Sequence, residues 1–355
     1  MEEKLETFCH FEQSEKPLGS AQAKSHIYKK LFGLFLFIVM LVSCKQEPKN
    51  THLSGPVFGT TYSVKYHSEN QHNFQPQIDS LFKVINQSMS TYMDDSDISK
   101  INRNESVKID EHFIKVFEAS KVIHQFTDGV FDPTIGDVVN AWDFGPEGKI
   151  VNLDSLKIDS LMLSVGFDKL KRSENTIIKE DANTFIDFNA IAKGYGVDVI
   201  GELLERNGVD NYIVEIGGEI RTKGINVEKQ QAWKVGVEMP HFDGTQSILK
   251  AILLKDEAMA TSGTYRKFKV DENGKRYSHI IDTKTGYPST TNLLSISVIS
   301  ENCMLADGYA TAFKAMGIEK VTAFLQQHPE LKVFLIFENE KQELETLSLN
   351  GFPEE

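Results

Sequence analysis

The separation of helical and extended patterns along the chain most constrains its fold. Before residue 207, apolar residues recur mainly at helical spacing, which predicts helices at 76–89, 111–126, 154–164 and 191–206. After residue 210, short apolar segments separated by turn residues predict strands at 211–216, 220–224, 233–238, 248–254, 258–262, 265–270, 277–282, 294–299, 332–337 and 344–349. Two more helices are predicted at 304–316 and 318–327. Because the two patterns segregate, the sequence predicts an α+β fold with an antiparallel-rich sheet and flanking helices, in a single compact unit.

The first half of the chain also contains one predicted strand and two polar segments. A strand is predicted at 57–66, and the polar turn 90–99 is expected to open a short helix that ends at Asn102. A second loop, 127–136, contains Pro133, which is expected to lead into another helix that ends near Trp142.

The segment from Asp187 to Asp198 is the first candidate for a binding site. Phe185 and Ile186 read as the end of a strand, and the helix that follows has Lys193, Gly194 and Gly196 in its first turns. Free N–H groups at a helix start, with a lysine and glycines beside them, suit a phosphate. The alternative is an ordinary strand–turn–helix with a solvated lysine, because the segment contains neither a P-loop nor G-x-G-x-x-G.

The N-terminal region resembles an export signal. Two lysines precede a short apolar segment, residues 31–42, which is followed by Ser43 and Cys44. We expect residues 1–43 to be a lipoprotein signal peptide with an N-terminal extension and Cys44 to carry the lipid. Residues 44–55 are expected to form a polar tether and residues 56–350 the functional domain. The protein is then expected to be exported and lipid-anchored to a bacterial membrane, facing the periplasm; a short buried helix is the alternative.

Charge and cysteine content exclude several classes of protein. The formal net charge of −13 argues against a nucleic-acid partner and against a broad surface for anionic lipid, and it is compatible with a site that recruits a divalent cation. Of the three cysteines, Cys9 and Cys44 belong to the N-terminal region, so Cys303 has no partner for a disulfide framework.

The clearest arrangement for a metal is in the predicted helix 304–316. Asp307 and Thr311 are four residues apart, so they lie on one face of the helix. A carboxylate and a hydroxyl are oxygen donors that suit Mg²⁺. The small residues around them are expected to let a bulky ligand approach. A hydrogen bond between Asp307 and Thr311 on an exposed face is the alternative.

Two further segments could take part in chemistry. Thr261–Arg266 offers hydroxyls, a glycine and a guanidinium group for a phosphate, or it is a plain hairpin. His279 lies near Asp282 in sequence, and a histidine beside a carboxylate can act as a general acid or base, although it is more often a structural hydrogen-bonding group.

These segments together resemble the ApbE family of FAD:protein FMN transferases, over about residues 57–337. The resemblance rests on six motifs in order: Thr127-Asp128-Gly129-x-x-Asp132-Pro133-Thr134-x-Gly136, Asp187-x-x-x-Ile191-Ala192-Lys193-Gly194-Tyr195, Val214-x-Ile216-Gly217-Gly218, Thr261-Ser262-Gly263-x-Tyr265-Arg266, His279-x-Ile281-Asp282-x-x-Thr285-Gly286 and Ala306-Asp307-x-x-Ala310-Thr311. Each motif is weak alone, whereas six in order are specific.

The resemblance implies a Mg²⁺-dependent enzyme that cleaves FAD, passes FMN to a Ser or Thr hydroxyl of a target flavoprotein and releases AMP. By position, it implies metal binding by Asp307, Thr311 and the main-chain carbonyl of Ala190. It implies FAD contacts at Phe58, Asp97, Ile98, Ser99, Thr134, Lys193 and Ile281, and a catalytic role for His279 and Asp282. Phe58 stands where relatives often have Met, which could alter how the flavin is held.

Two other functions stay open from the sequence. The same site could use water, which would make the protein an FAD pyrophosphatase that gives FMN and AMP. It could also hold FAD without cleaving it, as a lipid-anchored periplasmic flavin-binding protein.

Overall fold

The computed structural model describes residues 49–270, 274 and 276–354. They belong to a compact unit that spans Pro48–Glu355. The predicted signal peptide, 1–43, and the predicted lipid site, Cys44, lie outside the described residues. The predicted tether, 44–55, is too long, because the first strand begins at Thr51 and pairs with the second from its first residue, Thr51 opposite Tyr66.

The centre of the molecule is an eight-stranded sheet in which every neighbouring pair is antiparallel. In spatial order its strands are β1 (Thr51–Val57), β2 (Thr60–Tyr66), β5 (Tyr212–Ile216), β6 (Glu219–Lys223), β9 (Ala258–Gly263), β12 (Leu293–Ser300), β13 (Lys332–Glu338) and β14 (Leu344–Leu349). Three hairpins stand apart from this sheet: β3 (Leu170–Ser173) with β4 (Thr176–Lys179), β7 (Trp233–Glu238) with β8 (Ile248–Leu254), and β10 (Phe268–Val270) with β11 (Arg276–Ser278).

Eight α-helices lie within the described residues. They are α1 (Gln75–Met89), α2 (Asp97–Asn102), α3 (Glu111–Phe126), α4 (Gly136–Ala141), α5 (Ser155–Met162), α6 (Ala192–Arg206), α7 (Cys303–Met316) and α8 (Ile318–Leu325), with a short 3-10 helix at Phe167–Lys169. In this part of the chain no helix combines the length and the apolar character that a membrane span requires. The predicted α+β class, with its antiparallel sheet and flanking helices, is confirmed.

The two faces of the sheet are covered differently. On one face, alternate residues of the strands pack against α6 and α7; Val64 and Val214 are examples. On the other face, the β7–β8 hairpin packs against Met259, Ile299 and Phe334. Strand β12 is buried along its whole length because both of its faces are covered.

Several local predictions are wrong. The strand predicted at 57–66 is interrupted by a turn at Phe58 and Gly59, whose φ angles are 47° and 73°. Positive φ at both residues is typical of a hairpin turn that matches the twist of its strands. The strand predicted to end at Ile186 is a single bridge between Ile135 and Phe185. The predicted strands 265–270 and 277–282 are shorter, at Phe268–Val270 and Arg276–Ser278, and the β3–β4 hairpin was not predicted.

Candidate active site

A cavity of about 1070 Å³ opens beside the N-terminal end of α6. Its size suits a ligand at the upper end of the usual range for small-molecule sites. Polar and charged groups in its wall include Lys193, Glu219, His279, Asp307 and Thr311, and apolar groups include Phe58, Met89 and Phe131. Ala190 and Ile281 also line it.

The predicted metal-binding residues all lie in the wall of this cavity. Asp307 is buried, and its Oδ2 atom accepts a hydrogen bond from the Gly194 main-chain N–H at 3.0 Å. Burial raises the pKa of Asp307 to about 7, although the charge of Lys193 opposes the rise. The Thr311 hydroxyl is 3.2 Å from that of Ser262, so the structure does not show the hydrogen bond to Asp307 considered as an alternative.

These donors fit a hard cation. A buried carboxylate whose charged form is penalised by burial gains most from a positive ion beside it. Asp307, Thr311 and the Ala190 carbonyl offer three oxygens of different kinds, as Mg²⁺ sites that leave other positions to water and phosphate require. The described residues contain no cluster of three His, Cys, Asp or Glu side chains with metal-binding geometry, and the predicted set does not need one.

Lys193 is held by a carboxylate that the sequence analysis did not single out. Its Nζ atom is 2.6 Å from Oε1 of Glu219, whose side chain is 3% exposed. Burial alone would lower the pKa of Lys193, but Glu219 and Asp307 raise it above its ordinary value. The other oxygen, Oε2 of Glu219, is buried and has no hydrogen-bond partner in the described chain. The one local signal was the Gly217-Gly218 turn, which brings Glu219 to the cavity.

His279 lies in the cavity wall in a defined tautomer. Its Nδ1 atom is 2.9 Å from the main-chain carbonyl of Lys267, an acceptor, so Nδ1 carries the proton. Burial, helped by the positive charge of Lys267 and other lysines, lowers the pKa of His279 to about 4. The ring is therefore neutral at physiological pH, and Nε2 carries a free lone pair.

Asp282, predicted to act with His279, does not line the cavity. Its Oδ1 atom accepts hydrogen bonds from the main-chain N–H groups of Lys284, at 2.8 Å, and Thr285, at 3.3 Å. This is the pattern by which an aspartate stabilises its own turn. In the structure His279 and Asp282 therefore have different partners: His279 bonds to a main-chain carbonyl and Asp282 to its own turn, and their catalytic roles stay predictions.

Four predicted FAD contacts also lie outside the cavity wall: Asp97, Ile98, Ser99 and Thr134. Ile98 is a core residue, and the Ser99 hydroxyl donates to the Ser90 carbonyl. The Thr134 hydroxyl donates to Asp132 at 2.6 Å and accepts from the Gly166 N–H at 2.7 Å. These residues shape the neighbouring loops, and the wall positions there belong to Ser90, Tyr92, Met93, Asp132 and Pro133.

The small residues of α6 and α7 were predicted to make room for a ligand, but in the structure they are packed against other protein atoms. A Cβ atom at Gly194 would lie 2.3 Å from the Cys303 carbonyl oxygen, and one at Gly196 would lie 2.9 Å from the Phe58 ring. A Cβ at Gly308 would lie 2.4 Å from Ile123. Their role is close packing of helices and of Phe58, which holds the wall in place.

Comparison with known proteins places the chain among described relatives. The ApbE family model matches residues 58–335. The FAD:protein FMN transferase of Vibrio cholerae is 36% identical over 308 residues, which cover 84% of this chain and 91% of that protein. The FAD:protein FMN transferase of Haemophilus influenzae is 38% identical over 328 residues, covering 87% and 93%. The solved structure of the flavin transferase ApbE from Vibrio cholerae superposes with a TM-score of 0.77 at 35% identity, covering 85% of this chain and 97% of that one.

Proposed function

The chain belongs to the ApbE family, and from this membership we infer that it is an enzyme, an FAD:protein FMN transferase that moves FMN from FAD to a target protein. FAD:protein FMN transferases of two bacteria match this chain over more than nine tenths of their own length. The family match, residues 58–335, spans every residue of the cavity wall. The observation that carries the proposal is the cavity itself, whose wall contains a partly exposed Lys193 paired with the buried Glu219, the buried carboxylate of Asp307 and the aromatic side chain of Phe58.

We propose that the reaction depends on Mg²⁺, held by Asp307, Thr311 and the main-chain carbonyl of Ala190. When bound there, the ion would supply Lewis-acid stabilisation of charge on phosphate oxygens. Lys193 would bind the same oxygens through its ammonium group, which Glu219 keeps charged and oriented. Charge neutralisation and positioning are the main requirements of phosphoryl transfer, so these residues suit the reaction.

His279 is proposed to accept the proton of the acceptor hydroxyl at Nε2. The hydroxyl oxygen of a Ser or Thr on the target protein then forms a bond to the phosphorus of the FMN half. The bond from that phosphorus to the oxygen of the AMP half breaks, and AMP leaves with the electron pair. The hydrogen bond from Nδ1 to Lys267 fixes the ring so that Nε2 is the basic atom.

The test is to incubate the protein with FAD and Mg²⁺, with and without a target flavoprotein domain. AMP together with flavin fluorescence on the denatured target, only when the target is present, supports transfer. AMP without a target indicates FAD pyrophosphatase activity. Retained FAD without AMP in either arm indicates a binding protein and contradicts the proposed reaction.

The cellular location is part of the proposal. The lysine-flanked apolar segment before Cys44 supports export and lipid attachment at Cys44, with the domain on the periplasmic side of a bacterial membrane. Labelling with a fatty acid and membrane fractionation test it. When Cys44 is replaced by Ala, the protein should carry no label and should leave the membrane fraction. A protein that stays in the membrane without label would contradict the anchor.

A further inference from the structure

The proposed metal site is shared between two helices, so something must set how they lie against each other. Ala190 is in the turn before α6, whereas Asp307 and Thr311 are on α7. On the contact face, Gly194 of α6 meets Asp307 of α7, and Asp198 of α6 meets Cys303 of α7. The two helices therefore run antiparallel, and residues four apart on one meet residues four apart on the other. Continued by one step, the same spacing brings Ala190 towards Thr311, and both line the cavity.

Asp198 makes the contact furthest from the cavity. Its carboxylate is 4% exposed and accepts hydrogen bonds from the main-chain N–H groups of Cys303, at 3.0 Å, and Met304, at 2.8 Å. These are the first two residues of α7, where free N–H groups and the helix dipole favour a negative charge. Arg221 donates to the same carboxylate at 2.9 Å, and a second bond, to Glu205 at 3.0 Å, fixes the guanidinium.

The helix does not need Asp198 for its own capping. Asn302 is the local N-cap residue, and its side chain accepts from the Leu305 N–H at 2.9 Å. What Asp198 adds is a bond between helices. The contact at Gly194 leaves no space for a Cβ atom, so it limits how close the helices lie, and Asp198 limits how they slide and rotate.

We propose that Asp198 is a positioning residue for the metal site: by binding the start of α7 to α6, it aligns Asp307 and Thr311 with the Ala190 carbonyl. The inference rests on the proposed function, in which these three groups bind Mg²⁺. Because α-helices rise about 1.5 Å per residue, Asp198 lies about 6 Å along the helices from the level of Asp307 and about 12 Å from that of Thr311, and it touches neither metal nor substrate.

The test compares Asp198→Asn with Asn302→Ala in the full-length protein. Both variants weaken the start of α7, but only the first weakens the bond between helices, because an NH₂ group, which cannot accept a hydrogen bond, replaces one of the two carboxylate oxygens that accept from α7. Mg²⁺ and Mn²⁺ affinities are measured without FAD, by calorimetry and by Mn²⁺ electron paramagnetic resonance. We expect about a tenfold or greater loss of metal affinity in Asp198→Asn, as for residues that orient metal ligands, and near-normal affinity in Asn302→Ala.

Kinetics give the second measurement. The KM for Mg²⁺ should rise in Asp198→Asn, and kcat at saturating Mg²⁺ should recover most of its value, because the ligands themselves are intact. Equal losses of metal affinity in the two variants, at matched thermal stability, would show a general weakening of α7 and overturn the inference. Normal affinity in a folded Asp198→Asn protein would also overturn it. If the unmodified protein transfers FMN but binds no Mg²⁺, the metal proposal fails while the transferase function stands.

Discussion

Two parts of the cavity wall are built in different ways. The helix wall consists of Ala190–Gly194 and Asp307–Thr311, and its contacts are made by buried groups and main-chain atoms of α6 and α7. The loop wall consists of residues in three loop segments, and it includes side chains as exposed as Tyr92, at 60%. These residues are Ser90, Tyr92, Met93, Lys267, His279, Ile280, Ile281 and Thr283. The helix wall suits the part of the reaction that every substrate shares, the pyrophosphate. The loop wall is free to differ without disturbing the core, so it suits the recognition of a particular acceptor.

The largest effect on the reaction is expected from removing the carboxylate of the helix wall, Asp307. Asp307→Ala should lower the rate of FMN transfer about a thousandfold, because loss of several kcal/mol of charge stabilisation has that effect. The protein should stay folded, since the carboxylate is buried at a cost that raises its pKa to about 7. Transfer is measured as flavin fluorescence on the denatured target.

Asp307→Asn is the matched variant, because its amide oxygen can still accept from Gly194 N–H. It should be as inactive as Asp307→Ala but closer to the unmodified protein in thermal stability. Full activity in either variant would show that the helix wall does not bind the metal.

A smaller effect is expected from adding one methyl group between the helices. Gly194→Ala would place Cβ 2.3 Å from the Cys303 carbonyl oxygen, so α7 must shift. We expect a loss of about 1–3 kcal/mol in the free energy of unfolding, as for other overpacked contacts, and at least a tenfold loss of activity. Chemical denaturation and steady-state kinetics measure the two.

Gly196→Ala sharpens the same comparison, because its Cβ would meet the Phe58 ring at 2.9 Å and a ring can turn. That variant should change the KM for FAD more than the affinity for Mg²⁺, whereas Gly194→Ala should weaken both. If Gly196→Ala changed the affinity for Mg²⁺ more than the KM for FAD, the two glycines would not distinguish FAD binding from metal binding.

A third test measures the cost in stability of a buried lysine on α7, the helix that carries Asp307 and Thr311. Lys314 lies one turn beyond Thr311, is buried, and donates to the Thr291 hydroxyl at 3.1 Å. Burial lowers its pKa from 10.5 to about 8, so at pH 7 the folded protein carries a penalty of about 3 kcal/mol. Lys314→Met should therefore stabilise the protein at pH 7.

The pH dependence has a definite sign. Between about pH 8 and 10.5 the unfolded chain keeps a proton on Lys314 that the folded protein has lost, so the stability of the unmodified protein rises with pH in that range. The advantage of Lys314→Met should shrink from pH 7 to pH 10. An advantage that stays constant across urea denaturation curves at these pH values would show that the charge is not the cause.

The sequence predicted the helix wall better than the loop wall, and the reason is physical. Asp307 and Thr311 share a helical face, so a local spacing rule brings them together without knowledge of the fold. Glu219 and Asp198 were missed in their roles because those depend on which strand or helix lies opposite, and local spacing does not contain that. Near the loop wall, the resemblance identified Ile98 and Thr134, but Ile98 lies in the core and the Thr134 hydroxyl bonds to Asp132 and to the Gly166 N–H. The turn at Phe58 was missed because a bulky residue rarely adopts positive φ.

The smallest expected effect concerns Asp282, for which the resemblance implies a catalytic role and the structure shows hydrogen bonds that stabilise its turn. If Asp282 is catalytic, Asp282→Asn should reduce kcat/KM about a hundredfold or more, as for loss of a general acid or base. In the structure its carboxylate accepts hydrogen bonds from the main-chain N–H groups of Lys284 and Thr285. The side-chain oxygen of an asparagine accepts equally well in such a turn. We therefore expect less than about a threefold change in kcat/KM. Asp282→Ala, which removes the acceptor, should lower activity more than Asp282→Asn, because the turn that carries Ile281 into the wall loosens. Equal, large losses of kcat/KM in both variants would indicate that Asp282 takes part in catalysis.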